Sequence, residues 1–310
     1  MAKPVIAYPG AKWRFWKFIR EYIPRDIKDW REPFLGGASM SLSIADDPEF
    51  NLERMIVGDL APEIWAFWTG IRDNAEEVVG LAREVFKKHC PTHQILKETS
   101  ETDSNYKNIL NKALEEASKF WEHTQNIDCS KLNIVERAAR TYLVNKISFS
   151  GMGDSGSLSE DRFKEFNLEI LDRAILAQPL LQKMEIKNCS FEETLKDVDK
   201  DKTFVFLDPP YYKQESSGLY GKNGDTHKGF PHEKFAEVIQ NLHCRWFVTY
   251  DDSVKVRKMF KDSIITPFKI DGGYTMALKN SEDALAGEEL FIYNYEIKNI
   301  ENHDEAMSLL

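Results

Sequence analysis

Three observations predict an α/β fold, a sheet flanked by helices and broken by a long helical insertion. Short β-rich apolar runs alternate with amphipathic segments. Two of those runs end in turns rich in glycine or proline, of the kind that place ligands at strand ends in such sheets. The stretch from Ala61 to about Gln182 carries helical periodicity with no comparable strand, too long for a single crossover. The expected organisation is a discontinuous sheet domain of residues 1–60 and 166–310, with an inserted helical unit of residues 61–165.

Tyr8-Pro9-Gly10-Ala11-Lys12 precedes the first helical pattern, in which Trp13, Phe15, Trp16, Phe18, Ile19 and Tyr22 read as core. The first amides of a helix lack internal partners, so with Lys12 they suit a carboxylate. A strand follows near Trp30–Phe34, and Glu32-Pro33-Phe34-Leu35-Gly36-Gly37-Ala38-Ser39 turns from it into the helical pattern Met40–Ala45. Glycines at such a turn let the backbone approach a ligand closely. The strand Arg54–Gly58 then delivers Asp59, about 20 residues beyond the glycine turn, where a carboxylate can accept from ribose hydroxyls. Its alternative role is a helix N-cap before Pro62.

Within the insertion, helices are expected over Pro62–Asn74, Glu76–His89, Tyr106–Trp121 and Ile134–Lys146. The run from Ser148 to Ser157 is rich in glycine and serine and suits a hairpin or loop, and loops on a rigid scaffold commonly carry recognition. Further strands are expected at Met184–Asn188, Thr203–Leu207, Trp246–Tyr250 and Glu289–Tyr295.

The Thr203–Leu207 strand runs straight into Asp208-Pro209-Pro210-Tyr211. The prolines fix φ and remove two amide donors, so neither ladder nor helix continues. What remains is acceptors. The Asp208 carboxylate and the Pro209 carbonyl can take both hydrogens of a planar NH2 group, and the Tyr211 ring offers a face for a base. A rigid turn after a buried strand is the alternative.

Other chemistry is disfavoured. His89, Cys90 and His93 lack a fourth ligand at motif spacing, so no metal is expected, and no G-x-S-x-G occurs. Cys90, Cys129, Cys189 and Cys244 are scattered without a C-x-x-C pair, which favours reduced thiols and a cytoplasmic setting. No stretch approaches the ~20 apolar residues of a membrane span. The net charge of −10 weighs against nucleic acid, yet residues 1–32 hold eight basic against four acidic side chains, and a local DNA groove stays open.

Together these motifs resemble the Dam-like family (D12 class, alpha group) of adenine-N6 DNA methyltransferases, in which cofactor motifs come first, a target-recognition insert second and the catalytic D-P-P-Y third. Tyr8-Pro9-Gly10-Ala11-Lys12 is similar to the family's Y-x-G-G-K, Glu32 to Gly37 to its E-P-F-x-G-G, and Asp208 to Tyr211 to its D-P-P-Y. Asn145–Met152 is similar to N-R-x-G-F-N-G-L, Trp246–Ser253 to the family's S-Y-N-D-S strand, and Glu289–Tyr295 to its final strand. The resemblance spans nearly the whole chain.

It implies a Rossmann-like methyltransferase sheet with an inserted, mainly helical target-recognition domain, S-adenosylmethionine as methyl donor and double-stranded DNA as partner. Tyr8, Gly10, Lys12, Phe34, Gly36, Gly37, Asp59, Ser190, Phe191 and Asp208 would line the cofactor site. Asp208, Pro209, Pro210 and Tyr211 would be catalytic, and Lys146, Ser148, Phe149 and Ser150 would meet DNA. Phe149 would wedge a target adenine out of the stack while Ser150 faced its orphaned partner. Ala11, Ala38, Ser190 and Asp154 depart from the family pattern. Asp154 stands where Dam itself is basic, and a carboxylate cannot donate to guanine, which argues against GATC as the recognition sequence. Another amine acceptor (cytosine N4, RNA adenine) or a catalytically silent DNA-binding relative are the alternatives. Oligomeric state, monomer or weak dimer, stays open.

Overall fold

The computed structural model of the chain describes residues 4–212, 229–270 and 287–297. Strands β1 (Asp29–Glu32), β2 (Arg54–Asp59), β3 (Glu185–Asn188), β4 (Thr203–Leu207) and β5 (Arg245–Asp251) are joined in parallel pairs. β6 (Ile264–Ile270) and β7 (Gly287–Tyr293) complete the sheet, β7 lying antiparallel between β5 and β6. The order is β3-β2-β1-β4-β5-β7-β6. The chain steps outward from β1 to β3 and then returns to the other side of β1 with β4. Order therefore reverses between β1 and β4, the point outside whose strand ends open α/β sheets hold ligands.

Helices cover both faces: α1 (Trp16–Tyr22), α2 (Ser39–Asp46), α3 (Pro62–His89), α4 (Thr92–Glu98), α5 (Tyr106–Gln125), α6 (Ile134–Ile147), α7 (Glu160–Glu165), α8 (Asp172–Leu181), α9 (Phe191–Thr194), α10 (His232–Gln240) and α11 (Val254–Met259). Strand alternation sorts the core. Phe204, Phe206, Phe247 and Phe291 join one buried cluster with residues of α1, α2, α3, α6 and α8. Val205, Leu207, Val248 and Ile292 join the other, with Phe191, Phe235, Ile239 and Val256 of α9 to α11. Burial on both faces explains why β4 reads as an unbroken apolar run. Central β1 is polar by contrast, yet satisfied. Arg31 pairs with both Asp29 oxygens at 2.8 Å and donates to the Thr194 carbonyl at 2.9 Å.

The two helical patterns expected over 62–89 form one element, α3, broken at Asn74 (φ −142°, ψ 45°), where the patterns divide. α3 packs along α6 and also touches β2, β3 and α8, while α4 packs against α5. His93 bonds the Phe163 carbonyl at 2.9 Å and packs on Phe86, and His89 stacks on His123. Asn133 and Glu136 close a capping box at the start of α6. The first strand ends at Glu32, short of the expected Phe34, because Pro33 has no amide to donate. β6 is unexpected from the sequence. Its Pro267 would break a central strand but is tolerated on an edge, where β6 pairs only with β7. Among the described residues no helix is long and apolar enough to cross a membrane.

Two glycines of α3 separate packing from propensity. A Cβ on Gly70 would lie 2.6 Å from Ala138 Cβ of α6, whereas one on Gly80 meets nothing within 4 Å. Gly70→Ala is expected to destabilise the fold by about 1–3 kcal/mol, and Gly80→Ala to stabilise it by roughly 0.5–1 kcal/mol. Urea unfolding of the two variants checks both signs.

Candidate functional site at the strand-order reversal

A cleft of about 1490 Å³ opens beyond the carboxyl ends of β1 and β4. Small-molecule pockets run to roughly 300–1,000 Å³, so there is room for more than one ligand. The cleft brings together Tyr8, Gly10, Lys12, Phe34, Gly36, Gly37, Asp59, Ser190 and Phe191 with Asp208, Pro209, Pro210 and Tyr211, and reaches Lys146, Phe149 and Ser150. Of the residues expected at cofactor, catalysis or DNA, Ser148 alone does not line it.

At its centre Lys12 is 1 % exposed. Its Nζ donates to both Asp208 oxygens at 3.0 Å and to the Gly10 carbonyl at 2.8 Å, and lies 3.6 Å from Glu289 Oε1. Burial alone would push this ammonium's pKa down, but Asp208 and Glu289 outweigh it and hold the pKa above the usual lysine range. The Thr249 hydroxyl donates to Asp208 Oδ1 at 2.7 Å, so the carboxylate is gripped from two sides. The Tyr211 hydroxyl donates to Glu289 Oε1 at 2.9 Å and its ring stacks on Tyr250. Burial, then Glu289 and Asp208, keep the Tyr211 phenol protonated well beyond its ordinary range.

The glycine turn is built against Tyr8. Gly36 has φ +45°, and a Cβ there would sit 2.7 Å from the Tyr8 ring; one on Gly37 would meet Tyr8 Cβ at 2.9 Å. Ala38 also takes the left-handed region (φ 54°) where the family's glycine would carry no penalty. Asp59 accepts from Gly36 N and from Ala61 N, both at 2.8 Å, and so ties the turn to the end of β2. It does not cap α3, whose N-cap is Ala61. Burial pushes its carboxyl up to about 6, against those two amide bonds. Glu32 sits deeper, beside Ser41, which receives the Trp30 indole N–H at 2.8 Å and donates to Glu32. Desolvation raises Glu32 to about 8. Phe34 stacks on Phe191 at 5.9 Å and forms an aromatic wall, and Ser190 precedes α9 as its N-cap.

The glycine- and serine-rich run closes as a loop through a Ser148–Leu158 bridge and a Phe149 N to Ser157 O bond of 2.8 Å. Phe149 is 57 % exposed, and Ser150 takes φ 52°. Lys146 and Ser148, expected at DNA, face inward instead. Lys146 Nζ donates to the Val5 carbonyl at 2.5 Å, and burial lowers its pKa to about 7, which suits it poorly to phosphate. Ser148 is fully buried, and its hydroxyl accepts from Gly153 N at 3.0 Å. The reading of Asp154 also changes. Its oxygens accept from Arg140 at 2.7 and 3.0 Å, so it is ion-paired within the protein. Asn145 links this loop to the N-terminal segment, bonding Ala7 N (3.1 Å), Ala7 O (2.7 Å) and Gly151 O (2.9 Å).

Sequence reasoning missed Glu289, Thr249, Arg140 and the inward role of Glu32. Glu289 left one trace, an acidic residue directly at the head of the apolar run Leu290–Tyr293. Among the described residues no group of His, Cys, Asp and Glu is placed to hold a metal.

The profile of the D12 class N6 adenine-specific DNA methyltransferases matches residues 8–271. The Type II methyltransferase M.CviBI of Paramecium bursaria Chlorella virus NC1A is 22 % identical over 214 residues, covering 67 % of this chain and 69 % of its own.

The buried carboxyls predict a pH signature. An acid whose pKa is raised on folding binds more protons in the native state, so stability falls as pH climbs between the unfolded and folded values. For Glu32 that window runs from 4.5 to about 8. Glu32→Gln is expected to flatten the loss of unfolding free energy between pH 5 and 8, by an amount on the order of 2–4 kcal/mol. Urea unfolding at the two pH values measures it.

Proposed function

Since the chain belongs to the D12 class N6 adenine-specific DNA methyltransferase family, we propose that it transfers a methyl group from S-adenosylmethionine to N6 of an adenine flipped out of double-stranded DNA. DNA methylation is the chemistry of the family; the donor, the acceptor atom and the flipped base are our reading. One observation carries it. Asp208 stands at the end of β4 with its carboxylate gripped by Lys12 and Thr249, beside a proline carbonyl and the Tyr211 ring, in a cleft roomy enough for a cofactor and a base.

The residues fit the cofactor. The turn at Gly36 leaves no space for a Cβ beside Tyr8, Asp59 ends β2 in the lining of the cleft, and Phe34 and Phe191 supply an apolar wall. When bound, S-adenosylmethionine supplies an electrophilic sulfonium methyl whose C–S bonding electrons remain on sulfur. The protein's task is at nitrogen. Asp208 and the Pro209 carbonyl accept the two N6 hydrogens and draw the lone pair out of ring conjugation, in line with the methyl carbon. As the N–C bond forms, N6 becomes cationic and sheds one of those hydrogens along its bond to Asp208 and on to water. Pro210 keeps the backbone from closing over the acceptors.

On the DNA side, residues 61–165 act as the recognition unit on the sheet domain of 1–60 and 166–310. Phe149, exposed at the cleft, fills the vacated stack, and Ser150 faces the unpaired partner base. Lys146 and Ser148 support the loop from inside.

Asp208→Ala is expected to slow methyl transfer to DNA by roughly 10²–10³-fold or more, with nucleoside digests of wild-type product yielding N6-methyladenine. A wild-type rate in the variant, or N4-methylcytosine in the digest, overturns the reading. Phe149→Ala is expected to lose the fluorescence rise of 2-aminopurine at the target position while still binding cofactor.

A further inference from the structure

Glu289 lies near the start of β7 with its side chain 1 % exposed. A carboxylate so placed is costly unless it is paired and hydrogen-bonded. The sheet brings it there: β7, inserted antiparallel, sets Glu289 opposite Asp251 of β5 and Phe268 of β6. Polar groups around it include Lys12 Nζ at 3.6 Å, the Tyr211 hydroxyl at 2.9 Å, and Asp208, which shares the same lysine. Asp251 across the strand pair is directed elsewhere, its Oδ1 accepting from Tyr212 N at 2.7 Å.

We propose that Glu289 is a positioning residue for methyl transfer, which fixes and polarises the Tyr211 ring and makes the buried cluster of Lys12, Asp208 and Glu289 net negative beneath the target base. This inference rests on the reading of the cleft given above. Two physical effects follow from the geometry. A phenol that donates to a carboxylate carries more electron density in its ring, so a base acquiring positive charge is held more tightly on its face. With Glu289 ionised, two carboxylates face one ammonium; with it protonated, the cluster is neutral. The excess negative charge matters when N6 turns cationic and little before, so it acts on the transition state.

The sign of the pH dependence follows. Burial, opposed by Lys12, raises the Glu289 carboxyl to about 7. Below that pH the cluster loses its excess charge and transfer slows; above it the rate levels off. Glu289→Gln keeps an acceptor for the Tyr211 hydroxyl and removes the charge, so it mimics the protonated enzyme at every pH.

The experiment is single-turnover transfer of labelled methyl to duplex DNA between pH 5.5 and 8.5, with binding of S-adenosylhomocysteine measured in parallel. The wild type is expected to rise about tenfold through pH ~7. Glu289→Gln is expected to bind S-adenosylhomocysteine like the wild type, to run about tenfold slower at pH 8, and to lack that step. A variant that keeps both the wild-type rate and the step overturns the proposal. If Glu289→Gln fails to fold, Tyr211→Phe carries the test, since it keeps the ring and removes only the hydroxyl. It is expected to slow transfer at least threefold with DNA binding unchanged, and an unchanged rate overturns the proposal. A wild type that transfers no methyl to DNA strikes the functional reading itself, whereas an active wild type with an indifferent Glu289 strikes this inference alone.

Discussion

A lysine ammonium with 1 % exposure must be paired, and the cleft is organised around that necessity. Lys12 comes from the N-terminal segment, Asp208 from the end of β4 and Glu289 from β7. Three elements that share no local sequence are thereby pinned to one point. Removing Lys12 would leave two carboxylates facing each other without a cation, a cost of several kcal/mol in typical proteins. The pairing is weak evidence for stability in itself. Its consequence is positional: the carboxylate at the end of β4 has one orientation, fixed before any ligand arrives.

Around that point the cleft has two walls of different character. The wall at the glycine turn is backbone held by one carboxylate, with Asp59 fastening the Gly36 turn and Tyr8 filling the space its missing Cβ leaves. The loop-side wall is held by side chains from α6. Asn145 stitches Ala7 to Gly151, Lys146 reaches Val5, and Arg140 holds Asp154. Tyr8 therefore adjoins a residue that is bonded through Asn145 to the loop bearing Phe149. The two walls share a seam, and that seam is the N-terminal segment.

Much of this was legible in the sequence because the signals were local. The D-P-P-Y turn, the glycine turn and the aspartate closing β2 are each defined by a few adjacent residues whose backbone demands are strict. The break in α3 at Asn74 showed as a division between two helical patterns. What escaped depended on residues far apart in the chain. Glu289 gains meaning only when β7 inserts beside β5, and Asp154 only when Arg140 of α6 faces it. Lys146 and Ser148 matched a DNA-facing motif by order, but whether a helix-end lysine points outward or back to the N-terminal segment depends on packing. β6 was hidden by Pro267, which argues against a central strand and is neutral on an edge.

The position of Lys12 bears on how much of the chain the cleft needs. Its acceptors lie at Asp208 and Glu289, and the carbonyls of its own segment are held by Asn145 and Lys146. These contacts exist only when α6, β4 and β7 are all in place, so a chain truncated before β7 would possess most of the sheet with no finished cleft.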